Sequence, residues 1–112
     1  MEPIPRYRFE RIVRDAIDLI PDEFGPVLDN VAIVIEDHSV EEPGLLGLFD
    51  GVPNTQRNDM DSLSIVTIFR DTLCAAVDDE QELVNEVAIT VIHELAHSAG
   101  IDDERLDELG WS

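Results

Sequence analysis

Two histidines and a glutamate near the end of the chain stand at a spacing that suits metal chemistry. They lie in the stretch His93-Glu94-Leu95-Ala96-His97. On a helix, residues i and i+4 lie on one face about one turn apart, so both imidazoles can reach one ion. Zinc is bound readily by imidazole nitrogen, and the intervening glutamate can contact a metal-activated water rather than the ion. The alternative interpretation is a helix that carries two surface histidines by chance.

A catalytic zinc ion needs a third protein ligand and an open fourth position. No histidine follows His97, and the candidates after Gly100 are Asp102, Asp103 and Glu104. The spacing HExxHxxGxxD favours Asp103. The same carboxylate could also cap a last short helix, and the two roles are compatible.

Hydrophobic periodicity and turn residues predict the elements that position these side chains. We predict a helix over 6–20 that Pro21 stops or bends into a second short one, strands over 31–35, 45–52 and 64–69, a helix over 79–99, and a short C-terminal helix. The first strand is β-branched throughout, so we expect it to be buried. The second contains Gly47, which suggests a sheet edge or a close approach to the backbone. On the long helix the histidines stand opposite Val91 and Leu95, so we expect them to face a cleft while the apolar stripe faces the sheet.

Length and composition predict one globular domain, spanning residues 1–112. Acidic residues outnumber basic ones by 26 to 7, all seven basic residues are arginine, and the net charge is −19. Such a surface repels nucleic acid and attracts cationic peptides, although solubility or adaptation to salt would also explain it. The single cysteine, Cys74, fits a reducing compartment, and neither a signal peptide nor a membrane span is recognisable. These features predict a cytoplasmic protein.

The stretch from His93 to Asp103 resembles the zincin metallopeptidases in the form with an aspartate as third ligand, as in snapalysin-like enzymes. The wider pattern is similar to a family of small bacterial proteins regarded as minimal zincins. That similarity extends from about residue 9 onward and includes residues 46–53 and 103–110.

The resemblance implies an α+β fold, in which a small mixed sheet of three to four strands packs on an N-terminal helix and an active-site helix. It implies His93, His97 and Asp103 as zinc ligands and Glu94 as general base. The expected function is a zinc-dependent peptidase that hydrolyses peptide bonds by metal-activated water. Its expected partner is a peptide or protein substrate, with cationic segments favoured by the charge.

The sequence also departs from the larger zincins. Both methionines, Met1 and Met60, lie upstream of the motif, so the methionine turn under the metal is absent. No histidine or tyrosine follows Asp103 to stabilise an oxyanion. The candidates for that role are Tyr7, His38, Arg57, Arg70 and Arg105. These departures favour an alternative function, a zinc-stabilised binding module without efficient turnover.

Overall fold

A computed structural model describes residues 1–50 and 64–98 together with Glu104 and Glu108; the side chains of Val27, His97 and Ser98 are outside the description. The helices are α1 (Arg6–Leu19), α2 (Gly25–Leu28), α3 (Arg70–Ala75) and α4 (Glu80–Ser98), with a 3-10 turn at Asp22–Phe24. The strands are β1 (Val31–Glu36), β2 (Gly47–Asp50) and β3 (Ser64–Phe69). The fold is therefore α+β, as predicted.

The described strands form one mixed sheet in the order β1-β3-β2. β1 runs parallel to β3, with Ile33 opposite Val66, and β2 runs antiparallel to β3, with Gly47 opposite Ile68. Val66 and Ile68 are fully buried and face the helices, whereas Ile65 and Leu48 on the other face are partly exposed. Because side chains alternate along a strand, one face of this sheet supplies the core and the helices cover it.

Helices α1 and α4 pack against each other over the sheet. α1 buries Phe9, Ile12, Val13 and Ala16 at helical spacing. α4 begins where the Asp79 carboxylate accepts a hydrogen bond from the backbone N–H of Glu82 at 2.9 Å, as in an N-cap. It contacts both β2 and β3, so the sheet positions this helix directly.

Three features of the fold differ from the sequence prediction. Strand β2 begins at Gly47, two residues later than predicted. The expected burial of β1 is wrong, because β1 is an edge strand and its residues from Val31 to Ile35 are only half-buried. Its outer edge is partly covered by Arg6, whose guanidinium donates to the carbonyl of Ile35 at 2.6 Å. Helix α3 was not predicted, although Leu73, Cys74 and Val77 have helical spacing and are all buried.

The predicted C-terminal helix lies mostly outside the described residues. Glu104 and Glu108 have helical backbone and exposed side chains. None of the helices that the structure describes is long and apolar enough to cross a membrane.

Candidate metal centre

His93 and Glu94 lie on α4 between residues that anchor the helix in the core. Val91, Ile92, Leu95 and Ala96 are each fully buried. Successive residues of a helix are rotated by about 100° around its axis. With these four residues in the core, the side chains of His93 and Glu94 point to the side of the helix, and both are half-buried. The prediction that His93 faces a cleft is therefore confirmed.

His97 lies in the last turn of the same helix. Its backbone is about 6 Å further along the helix axis than that of His93, because each residue advances about 1.5 Å. Asp103 lies outside the described residues, as does Asp102. Glu104, the third acidic candidate, is exposed.

A cleft of about 380 Å³ opens between α4 and the chain that leads into β2. The helix contributes side chains spaced three or four positions apart, and the opposite wall is a short segment that ends at the first residue of the strand. The lining residues are Gly44, Leu45, Leu46, Gly47, Glu86, Ile89, Thr90, His93 and Glu94. The cleft thus combines a mostly apolar wall with an imidazole and two carboxylates.

Gly47 brings the two walls of the cleft together. A Cβ at this position would lie 2.7 Å from Cγ2 of Thr90 and 3.6 Å from Cγ of Glu94. Carbon atoms in ordinary contact stand about 3.5–4.0 Å apart, so a Cβ at position 47 would overlap the methyl group of Thr90 unless Thr90, β2 or α4 shifted. The prediction that a glycine in this strand marks a close approach to the backbone is confirmed.

The donors fit a zinc site as far as they are described. Imidazole nitrogen suits zinc, and a neighbouring carboxylate can remain outside the coordination shell. Among the described residues no group of three histidine, cysteine, aspartate or glutamate side chains stands close enough to hold an ion. Of the three predicted ligands only His93 has a described side chain, so the complete ligand set stays a prediction.

The predicted oxyanion-stabilising residues do not line the cleft where the structure describes them. Tyr7 is 68% exposed on α1. The imidazole of His38 lies 3.6 Å from the Asp71 carboxylate. Arg70 is held by Asp37 at 2.9 Å and by the carbonyl of Ile4 at 3.1 Å. Arg57 and Arg105 fall outside the described residues.

Sequence reasoning missed three residues of α4 that line the cleft, Glu86, Ile89 and Thr90. A signal was available, because Glu86, Thr90, His93 and His97 recur every three or four positions and so share one side of a helix. These four residues are polar, and hydrophobic periodicity reveals only the apolar side of a helix.

The comparisons with known proteins identify a family and a similar fold. The family model of the zincin-like metallopeptidases matches residues 28–111, well over half of the chain. Among solved structures, a conserved hypothetical protein from Thermus thermophilus has a TM-score of 0.57 at 18% identity, over 86% of this chain and 94% of that chain. At this identity the likeness supports the fold alone. No match was found among curated proteins. On the family match, this chain belongs to the zincin-like metallopeptidases.

Proposed function

We propose that the protein is a zinc-dependent peptidase whose active site is the cleft between α4 and β2. The observation that carries the proposal is that His93 and Glu94 share this cleft with the first residue of an edge strand. An imidazole that can bind zinc, a carboxylate that can act as general base and a strand edge that can align a peptide together support metal-assisted hydrolysis of a peptide bond.

In this proposal His93 and His97 hold zinc from one side of α4, and Asp103 supplies the third ligand. The bound ion would supply Lewis-acid activation of water and of the scissile carbonyl. Glu94 acts as general base: its carboxylate takes a proton from the attacking water and then delivers it to the leaving amine. A Cβ at position 47 would stand 3.6 Å from Cγ of Glu94, so the stem of Glu94 lies beside the first residue of β2.

In this proposal the outer edge of β2, which none of the described strands covers, aligns the substrate. The carbonyl of Leu46 accepts the N–H of Phe69 at 3.0 Å. In an antiparallel ladder the direction of backbone groups alternates, so those of Gly47 and Phe49 point away from β3. No strand in the described ranges pairs with that side. An extended peptide could add there as a further strand, with one of its amides near Glu94.

The alternative function is a zinc-stabilised binding module without efficient turnover. It is favoured by one observation: of the predicted oxyanion-stabilising residues, those that the structure describes lie away from the cleft. Both functions need His93 and His97, so Glu94 separates them. A binding module has no use for a proton acceptor next to its metal.

The decisive experiment replaces Glu94 with Gln, which keeps the size of the side chain and removes its basicity. We expect the variant to retain one zinc per chain by elemental analysis. Hydrolysis of a mixture of unstructured peptides should fall about 100-fold or more, the scale of a lost general base.

Glu23→Gln is the matched control, because Glu23 is exposed and does not line the cleft. A Glu94→Gln variant that keeps its zinc and cleaves like wild type would refute the assigned role. A zinc-loaded wild type that cleaves no peptide in the mixture would favour the binding module.

A further inference from the structure

Glu86 places a second carboxylate in the cleft, away from the predicted chemistry. It lies on α4 seven residues before His93, which corresponds to about 10 Å along the helix axis. Both side chains line the same cleft wall, and Ile89 and Thr90 lie between them. The metal site and general base proposed above leave this carboxylate without a function.

The surroundings of Glu86 are unusual for a charged side chain. It is half-buried, and neighbouring parts of the wall are the apolar residues Leu45, Leu46 and Ile89. No hydrogen bond or ion pair from any residue in the described ranges reaches it. A carboxylate that has lost part of its hydration gains from a cationic partner, because the attraction is stronger than it would be in bulk water.

The described arginines cannot serve as that partner. Arg8 pairs with Glu80, Arg70 pairs with Asp37, and Arg6 binds the edge of β1. None of the described arginines lines the cleft. Within the described ranges no arginine pairs with Glu86, so its carboxylate can accept the cationic group of a ligand.

We infer that Glu86 determines specificity by binding a lysine or arginine side chain of the peptide that occupies the cleft. The apolar wall suits the aliphatic stem of such a side chain, and the carboxylate binds its charged end. This assignment rests on the proposed function for the register of the peptide. An extended chain advances about 3.3 Å per residue, so the basic residue lies within about three residues of the cleaved bond.

Local recognition at Glu86 differs from the general attraction of a protein with a net charge of −19. The overall field acts on any cationic peptide and does not distinguish one position from another. A contact with one carboxylate selects a basic residue at one position. The test therefore measures positional preference rather than total affinity.

The experiment selects binders from a random library of unstructured decapeptides on immobilised, zinc-loaded protein that carries Glu94→Gln, so that bound peptides are not cleaved. We expect about tenfold enrichment of Lys and Arg at one position, as one charge-assisted contact gives. Adding Glu86→Gln should abolish the enrichment, and Glu86→Arg should replace it with enrichment of Asp and Glu. Asp15→Asn removes the same charge from an exposed site on α1 and should leave the enrichment unchanged.

Equal enrichment with Glu86→Gln and Asp15→Asn would overturn the inference, and so would a parent protein that enriches no basic residue at any position. The proposed peptidase function fails separately. A wild type that cleaves nothing, but whose preference for basic residues depends on Glu86, would refute the hydrolysis and retain this binding site. A wild type that hydrolyses peptides but shows no preference for basic residues would retain the peptidase function and refute this binding site.

Discussion

Replacing Gly47 with alanine tests the close contact on which the geometry of the cleft depends. The added Cβ would stand 2.7 Å from Cγ2 of Thr90, about 1 Å inside an ordinary carbon–carbon contact. Thr90 is 7% exposed and lies on α4 between buried neighbours. It is β-branched, so its methyl group has few alternative rotamers on a helix. We therefore expect the strand and the helix to move apart.

The loss of stability expected from this overlap can be estimated from other cases of overpacking. Overpacking a tight site by one methyl group destabilises a protein by about 1–3 kcal/mol. Thr90→Ser removes Cγ2, the atom that the new methyl group would overlap at 2.7 Å. Alone it should cost about 1 kcal/mol, the loss of one buried methyl group. In the double variant the two changes should compensate, with a coupling energy of about 1–2 kcal/mol.

The free energy of unfolding of the four proteins in this cycle can be measured by urea titration in the presence of a chelator, so that metal binding contributes to none of the values. Gly25→Ala is the matched control. Its φ and ψ are −52° and −50°, and an added Cβ meets nothing within 4 Å. It should leave stability unchanged or raise it by less than about 1 kcal/mol. A Gly47→Ala variant as stable as wild type, or a double variant no better than the sum of its parts, would refute the close approach.

Two further predictions concern the anchoring of α4 and the third ligand. Leu95→Ala should lower the free energy of unfolding by about 2–5 kcal/mol because Leu95 is fully buried. Leu48→Ala, at a side chain that is 48% exposed, should lower it by less than about 1 kcal/mol. Urea titration measures both values, and equal losses would contradict the difference in burial. Asp103→Ala should weaken zinc binding more than Asp102→Ala does, as measured by competition with a chromophoric chelator. Equal effects or the reverse order would reassign the ligand.

The two long helices and β3 were the most predictable parts of the fold. α1 and α4 were placed within about two residues of their observed bounds, because each carries a regular apolar stripe that a helix must bury. β3 was predicted over 64–69, the range that it occupies. Its β-branched residues alternate between the core and the other face of the sheet. In these segments local pattern and tertiary environment agree.

The order of the strands could not be predicted in the same way. A run such as Val31–Ile35 has the composition of a central strand, and nothing within it indicates which neighbours it will have. Its place at the edge results from β3, which pairs on both sides and comes more than 25 residues later in the chain. Strand order is a property of distant segments, so a local pattern does not contain it.

The residues of the candidate site also differ in whether a local sequence pattern identifies them. His93 and Glu94 could be found because their spacing and the helical period act within one segment. Glu86 could be identified as a site residue only from the structure, because its proposed role depends on the residues of the opposite cleft wall. Gly47 lies between these cases: the sequence suggested that something approaches it, and the structure identifies Thr90 and Glu94 as its neighbours.

The same helix that forms the core also carries the candidate chemistry, and this dual use explains how a short chain could support a site. Leu95 and Ala96, which follow Glu94 directly, are fully buried. Their packing fixes the rotation of α4 about its axis, and Gly47 fixes its distance from β2. Since both constraints act within one turn of Glu94, core packing limits the positions open to its carboxylate. A substitution that loosens the core at Leu95 should therefore disturb the site even though it touches no ligand.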